Sequence, residues 1–225
     1  MKKIIVLIIC LAVALPAFAK NENENKKQKN LPPGLQKKLE RTGELPPGWQ
    51  KKIVEKKVLI AYDTRHGSTS AVVEAISEVL LEDGFLVETD LAYKINDISS
   101  YDAVIIGSPI YWATLQPDIK SFMSTFKDTL SNLQVALFVV CSTIDETTGL
   151  IDPAAKNFFV TPTLEDYPEI TFLEPIGLFG GEIDLKKLFP FEFLNMKYTG
   201  YGVGDFRNTD VVDQWAETVS ELFKQ

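Results

Sequence analysis

Residues 58–71, VLIAYDTRHGSTSA, decide how the rest of this chain is read. Val58, Leu59, Ile60 and Ala61 make a short apolar run with β-branched members, the pattern of a strand buried on both faces. The run breaks at Asp63–Thr64, turns through Arg65-His66-Gly67, and meets Ser68–Thr69 ahead of the apolar-periodic segment AVVEAISEVL. Strand, hydroxyl-rich turn and helix start, in that order, place backbone N–H groups and hydroxyls at the positive end of a helix dipole, which holds a phosphate monoester well. Gly67 permits positive φ or a close backbone approach. Ordinary N-capping by these hydroxyls is the alternative reading.

Outward from this stretch the alternation is regular. After the strand at 57–63, Val72, Ala75, Ile76, Val79 and Leu80 follow the helical period over 68–82, and Asp83-Gly84 supplies a C-terminal stop. Phe85–Leu91 reads as a second strand. Ala103–Ile106 is a third, ending at Gly107-Ser-Pro-Ile110. A helix follows from about Gln116 to Phe126, with Pro117 suited to its first turn. Val135–Val140 is a fourth strand, the segment around 148–160 reads as helical, and Ile170–Phe179 is a fifth strand whose interior Pro175 implies a bend or an edge position. A last helix spans Thr209 to Phe223. Five strands alternating with helices predict an α/β fold with a parallel sheet covered on both faces. In such sheets ligands bind outside the C-terminal strand ends, which selects the loops 64–69, 107–113 and 141–146.

The second of these loops carries Tyr111 and Trp112 side by side after Gly107-Ser108-Pro109-Ile110. A flat heteroaromatic ligand stacking there would account for them; packing against the following helix is the alternative. Ser142 and Thr143 add hydroxyls at the same rim. Phosphate at one loop and a planar ring between two others describe a mononucleotide with a large base.

Residues 1–19, MKKIIVLIICLAVALPAFA, have the form of a cleaved Sec-type signal peptide, so the expected location is exported and periplasmic. No Arg-Arg pair precedes the apolar run, and that run is short for a bilayer span. Cleavage would leave Cys141 as the only thiol, which excludes an internal disulfide. Residues 20–57 repeat LPPGLQKK (31–38) as LPPGWQKK (45–52) and carry 11 basic and 5 acidic groups. They read as a basic tether, a spacer or a segment for peripheral contact with anionic lipid headgroups. Residues 58–225, the domain proper, carry 10 basic and 26 acidic groups, a net charge of −16 that excludes nucleic-acid binding through phosphates.

The turn TRHGSTS (64–70), the loop GSPIYW (107–112) and the five βα units together resemble the flavodoxin-like FMN-binding family. Thr64, Gly67 and Thr69 match a first loop of the T-x-T-G-x-T type, with Arg65 and His66 where hydroxyl residues are common. A T-R-x-G-x-T turn and the ending GDFRNTDVVDQWAETV (204–219) are similar to the branch that contains menaquinone-dependent protoporphyrinogen dehydrogenase. The resemblance covers about 58–225. It implies a doubly wound five-stranded parallel sheet of order 2-1-3-4-5, with FMN as cofactor. It implies a phosphate held by Thr64, Arg65, His66, Gly67, Ser68 and Thr69, and a flavin ring flanked by Ser108, Pro109, Ile110, Tyr111 and Trp112, with Ser142 and Thr143 completing the rim. His66, the sole histidine, reads as a phosphate contact or a solvated loop residue, and Cys141 as a small buried residue.

The function expected from this is electron transfer or oxidoreduction through bound flavin, with no catalytic side chain and no metal, and with a redox protein or a quinone as partner. An NAD(P)H-dependent flavin or quinone reductase, and a flavin-free domain of the same shape, are the alternatives. The acidic domain favours a low potential. The insertion at 182–205, with Leu185, Leu188, Phe189, Phe191, Phe193 and Leu194, reads as a flap burying its own aromatics; the resemblance to the enzyme branch implies instead a face toward quinone or membrane. No G-x-S-x-G elbow is present, Gly107-Ser108 stand where a receiver domain needs an aspartate, and one histidine with one remaining cysteine is too little for a zinc site.

Overall fold

A computed structural model describes residues 56–111, 114–141, 154, 157–158, 160–189, 192, 194 and 204–225. The expected signal peptide, nearly all of the tether, Trp112, Ser142 and Thr143 lie outside these residues, as does most of the segment 148–160.

Strand β1 (Lys57–Tyr62) leads into helix α1 (Ser68–Glu82) and β2 (Leu86–Leu91). A 3-10 turn (Ala92–Lys94) precedes β3 (Ala103–Tyr111), which is followed by the two-residue β4 (Thr114–Leu115), α2 (Pro117–Leu130) and β5 (Gln134–Cys141). The short α3 (Thr161–Glu165), β6 (Phe172–Gly180), β7 (Glu182–Ile183), β8 (Gly204–Asp205) and α4 (Thr209–Phe223) complete the order. The principal sheet runs β2-β1-β3-β5-β6 with every neighbour parallel. Because β4 only pairs antiparallel with β3, this is the expected order 2-1-3-4-5.

Alternation along the strands builds two cores. Val58, Ile60, Ala103, Ile105, Ala136, Phe138 and Val140 face α1 and α4, meeting Val72, Ile76, Leu80, Val212, Trp215, Val219 and Phe223. Leu59, Ala61, Val104, Ile106, Val135, Leu137 and Val139 face α2, meeting Ile119, Phe122, Met123 and Leu130. Such double burial is why these strands read as unbroken apolar runs rather than as alternating ones.

Two expectations are corrected. The third strand does not stop at Ile106: backbone pairing carries it through 107–111, where Ile110 pairs with Leu115 and Tyr111 with Thr114 in a hairpin. Most of the supposed 107–113 loop is therefore strand. Helix α2 continues past Phe126 to the buried Leu130, one turn further along the same face. Pro175 meets its expectation on both counts, lying on edge strand β6 at a register shift opposite Ala136–Phe138. Its carbonyl, freed from the ladder, accepts the Trp215 indole N–H at 2.7 Å.

Candidate functional site

Register brings the chosen loops to one end of the sheet. Tyr62 lies opposite Gly107, Pro109 opposite Val140, and Cys141 opposite Gly180. Asp63 N–H donates to the Gly107 carbonyl at 3.0 Å, and Gly181 N–H to the Cys141 carbonyl at 3.1 Å. The turn 64–69, the end of β3 and the start of the segment after β5 thus share a rim.

At the first loop the capping alternative fails. Gly67 takes the N-cap position of α1 at φ +94°, and among the described residues no side chain caps the helix. Thr64 Oγ1 instead accepts the Gly67 N–H at 3.1 Å, closing the turn on itself. The Ser68 hydroxyl accepts the Glu182 N–H at 3.0 Å and donates to the Glu182 carbonyl at 3.1 Å, tying α1 to the first residue of β7. Thr69 is buried. Among the described residues, no atom comes within 4 Å of where a Gly67 side chain would begin. An uncapped helix start beside open space suits an anionic group.

The second group of residues divides. Ser108 is fully buried, and its hydroxyl accepts the Gln116 N–H at 3.0 Å, pinning the hairpin rather than facing a ligand. Pro109 is half-buried, and Ile110 packs onto the α2-side core. Tyr111 reaches across to the first loop, with the Arg65 guanidinium 4.1 Å from its ring centroid. Thr64, Arg65, His66, Gly67 and Tyr111 are therefore brought together, whereas Ser68, Ser108 and Ile110 are engaged by the chain itself.

What gathers that group is Glu192, a carboxylate only 3% exposed. Arg65 Nε donates to its Oε1 at 3.0 Å, the Tyr111 hydroxyl donates to the same oxygen, and the Phe189 N–H donates to Oε2 at 2.9 Å. His66 Nε2 lies 3.2 Å from Oε2 without an aligned hydrogen bond, a contact of charge proximity. The His66 ring also tilts against Phe189 at 6.2 Å. Burial pushes the Glu192 carboxyl up, but the Tyr111 and Phe189 donors and the neighbouring His66 and Arg65 outweigh it and hold it below the usual range. Burial, followed by the bond to Glu192 and its charge, pushes the Tyr111 phenol up to about 12, keeping it a donor. Asp63, half-buried behind the turn, is raised by burial and by Asp118, against the Thr64 N–H and Arg65.

Sequence reading missed Glu192 and the role of Asp63. A signal for the former existed: in FPFEFL (189–194) one acid interrupts an aromatic run, which makes a poor apolar flap unless the acid has buried partners. The expectation of a flap burying its own aromatics is corrected at Phe189, which is exposed beside the exposed Leu185 and Leu194, while Phe191 and Phe193 lie outside the described residues. Cys141 is buried, as expected. Among the described residues no cluster of His, Cys, Asp and Glu could hold a metal ion, and no helix is long and apolar enough to cross a membrane.

The family model described as Flavodoxin domain matches residues 59–202. Among solved structures, the chain is similar to a flavodoxin from the domain Archaea, at 15% identity and TM-score 0.51, covering 75% of this chain and 99% of that one. It is also similar to an oxidoreductase from Corynebacterium diphtheriae (12% identity, TM-score 0.49, 76% and 97% covered) and to oxidised Flavodoxin 2 from Bacillus cereus (19%, 0.45, 74% and 99%). No curated protein matches the chain.

Proposed function

The chain belongs to the flavodoxin-domain family, and from that premise we propose that it binds FMN at the rim of β1, β3 and β5 and serves as an exported electron carrier. The observation that carries the reading is the uncapped start of α1 behind the left-handed Gly67, flanked by Arg65 and by Tyr111 from the strand end next door. It lies between β1 and β3, on either side of which strand order reverses, where open α/β sheets take their ligands.

The donor chemistry fits the phosphate end of FMN: Thr64, Gly67 and the first-turn amides of Ser68 and Thr69 would hold it, with Arg65 supplying positive charge and His66 a further contact. Tyr111, together with Trp112, Ser142 and Thr143, would flank the ring. FMN itself takes up and returns electrons when bound. This chain's residues bind it, orient it and set the surrounding charge. The 26 acidic groups of 58–225 oppose added negative charge and favour a low potential. They also suit a redox partner with a basic face, whose association rate would fall steeply with added salt. The T-R-x-G-x-T turn supports a place near the protoporphyrinogen dehydrogenase branch, without carrying over its substrate.

Purification of the full chain tests the reading. Oxidised-flavin absorbance with FMN released on heating is the expected result, with a midpoint potential below that of free FMN; a colourless protein that FMN does not bind would refute it. One observation favours a second reading, a flavin-free domain of the same shape: the Glu192 carboxylate already engages Arg65 and Tyr111.

A further inference from the structure

Glu192 comes from an insertion more than 120 residues along the chain from the loop it meets, yet its carboxylate is nearly sealed from water. A buried carboxylate is tolerated only with several donors, and of the four groups that converge on its two oxygens a guanidinium, a phenol and a backbone amide donate, with the His66 imidazole 3.2 Å away. Two of the four, Arg65 and His66, belong to the turn whose open helix start suits a phosphate. This is a built anion site, and the anion in it belongs to the chain.

We propose that Glu192 is an internal competitor for the ligand's phosphate group. Its carboxylate holds Arg65, His66 and Tyr111 until an incoming phosphate monoester takes over the two basic side chains, so that ligand binding and release of the Glu192 contact are one event. Competition is favoured over joint occupancy by charge. A phosphate dianion beside a buried carboxylate would place like charges within a few ångströms in a poorly screened setting, and the Arg65 Nε–H cannot serve both. Asp63 on the same loop adds to the repulsion. The proposal rests on the flavin reading only in naming FMN as the bearer of the phosphate.

The test uses the full chain and its Glu192→Gln and Tyr111→Phe variants, each checked for a native circular-dichroism spectrum. Inorganic phosphate, FMN and riboflavin are titrated separately. Glu192→Gln should bind phosphate and FMN at least about tenfold more tightly than the unaltered chain, the effect of freeing one charge-assisted donor, with riboflavin affinity unchanged. Tyr111→Phe, which loosens the carboxylate without neutralising it, should tighten phosphate binding by less, and decides the matter if Glu192→Gln does not fold. In the unaltered chain, saturating phosphate should speed hydrogen exchange at the Phe189 amide, since that amide donates to Glu192. Unchanged or weaker phosphate binding in both variants, no binding of phosphate to any of them, or a Phe189 amide unmoved by saturating ligand would overturn the competitor. If phosphate shows the contrast and FMN binds no form, the flavin reading fails and the competitor stands. If FMN binds every form equally well, the flavin reading stands and the competitor falls.

Discussion

Two carboxylates on one rim are perturbed in opposite directions, and each direction has its own consequence for stability against pH. Asp63 is raised in the folded chain, by burial first and by Asp118 second, so its ionised form costs stability at every pH above its folded value. Asp63→Asn keeps an oxygen to accept the Thr64 N–H, which Asp63 Oδ1 accepts at 2.6 Å, and removes the charge. It should raise the thermal midpoint at pH 7, and the gain should vanish below about pH 3.8, where the unfolded aspartate is also neutral. Melting curves at pH 7 and pH 3 check this; an equal gain at both would show the charge to be irrelevant. Glu192 has the opposite sign. Its folded value is depressed by Tyr111, Phe189, His66 and Arg65 despite burial, so its stabilisation is present above about pH 4.5 and is lost as pH falls through the lower folded value. Urea unfolding of Glu192→Gln should show a loss of about 1–3 kcal/mol at pH 7 that shrinks toward pH 3. A loss that does not change with pH would mean that shape, not charge, holds this residue.

At the scale of elements, two glycines, one at the N-cap of α1 and one inside β3, separate backbone strain from packing. Gly67 needs φ +94° but has open space where a side chain would begin, so Gly67→Ala should cost only the left-handed penalty, about 1–2 kcal/mol, visible as a lowered denaturant midpoint with an unchanged slope. Gly107 meets the opposite problem: a methyl there would lie 2.3 Å from the Phe138 ring, whose other faces touch Phe179 and Trp215. Overpacking of that cluster should cost at least as much, about 1–3 kcal/mol, and alter the near-ultraviolet Trp215 signal, which Gly67→Ala should leave alone. If Gly107→Ala proves neutral, the close approach of β3 to Phe138 is misplaced. The same elements show what a sequence discloses. Helices α1 and α4 and the buried runs of β1 and β5 were legible because burial on two faces and a 3.6-residue period write themselves into residue type. The extension of β3 through Gly107-Ser108-Pro109 was not, because glycine, serine and proline read as turn residues. Only the partners Val139 and Val140 on β5 and the hairpin with Thr114–Leu115 make them strand. The partners of Glu192 were illegible for a related reason: Arg65 and Tyr111 come from two other elements, and contacts that long-range leave no local period.

Across the whole molecule, both cores draw their buried members from residues 58–223, split by the sheet into an α1–α4 side and an α2 side. At the boundary, Lys56 donates to the Phe223 carbonyl at 2.5 Å, joining the start of β1 to the end of α4. A chain beginning at Lys56 keeps that bond and both cores. It should unfold in a single cooperative transition, with a thermal midpoint within a few degrees of the full chain, as expected for a domain of about this size burying its own core. Its FMN affinity should match as well, because Thr64, Arg65, Gly67, Tyr111 and Glu192 all lie inside it, whereas the charge balance shifts. Without the net +4 of residues 20–55, the remaining −14 is undiluted, and any binding of the full chain to anionic vesicles should disappear. Calorimetry and flavin titration on the two chains decide it. A shortened chain that melts early or loses flavin would put the repeat in contact with the fold, and one that still binds vesicles would move the lipid contact from the repeat to the exposed Leu185, Phe189 and Leu194.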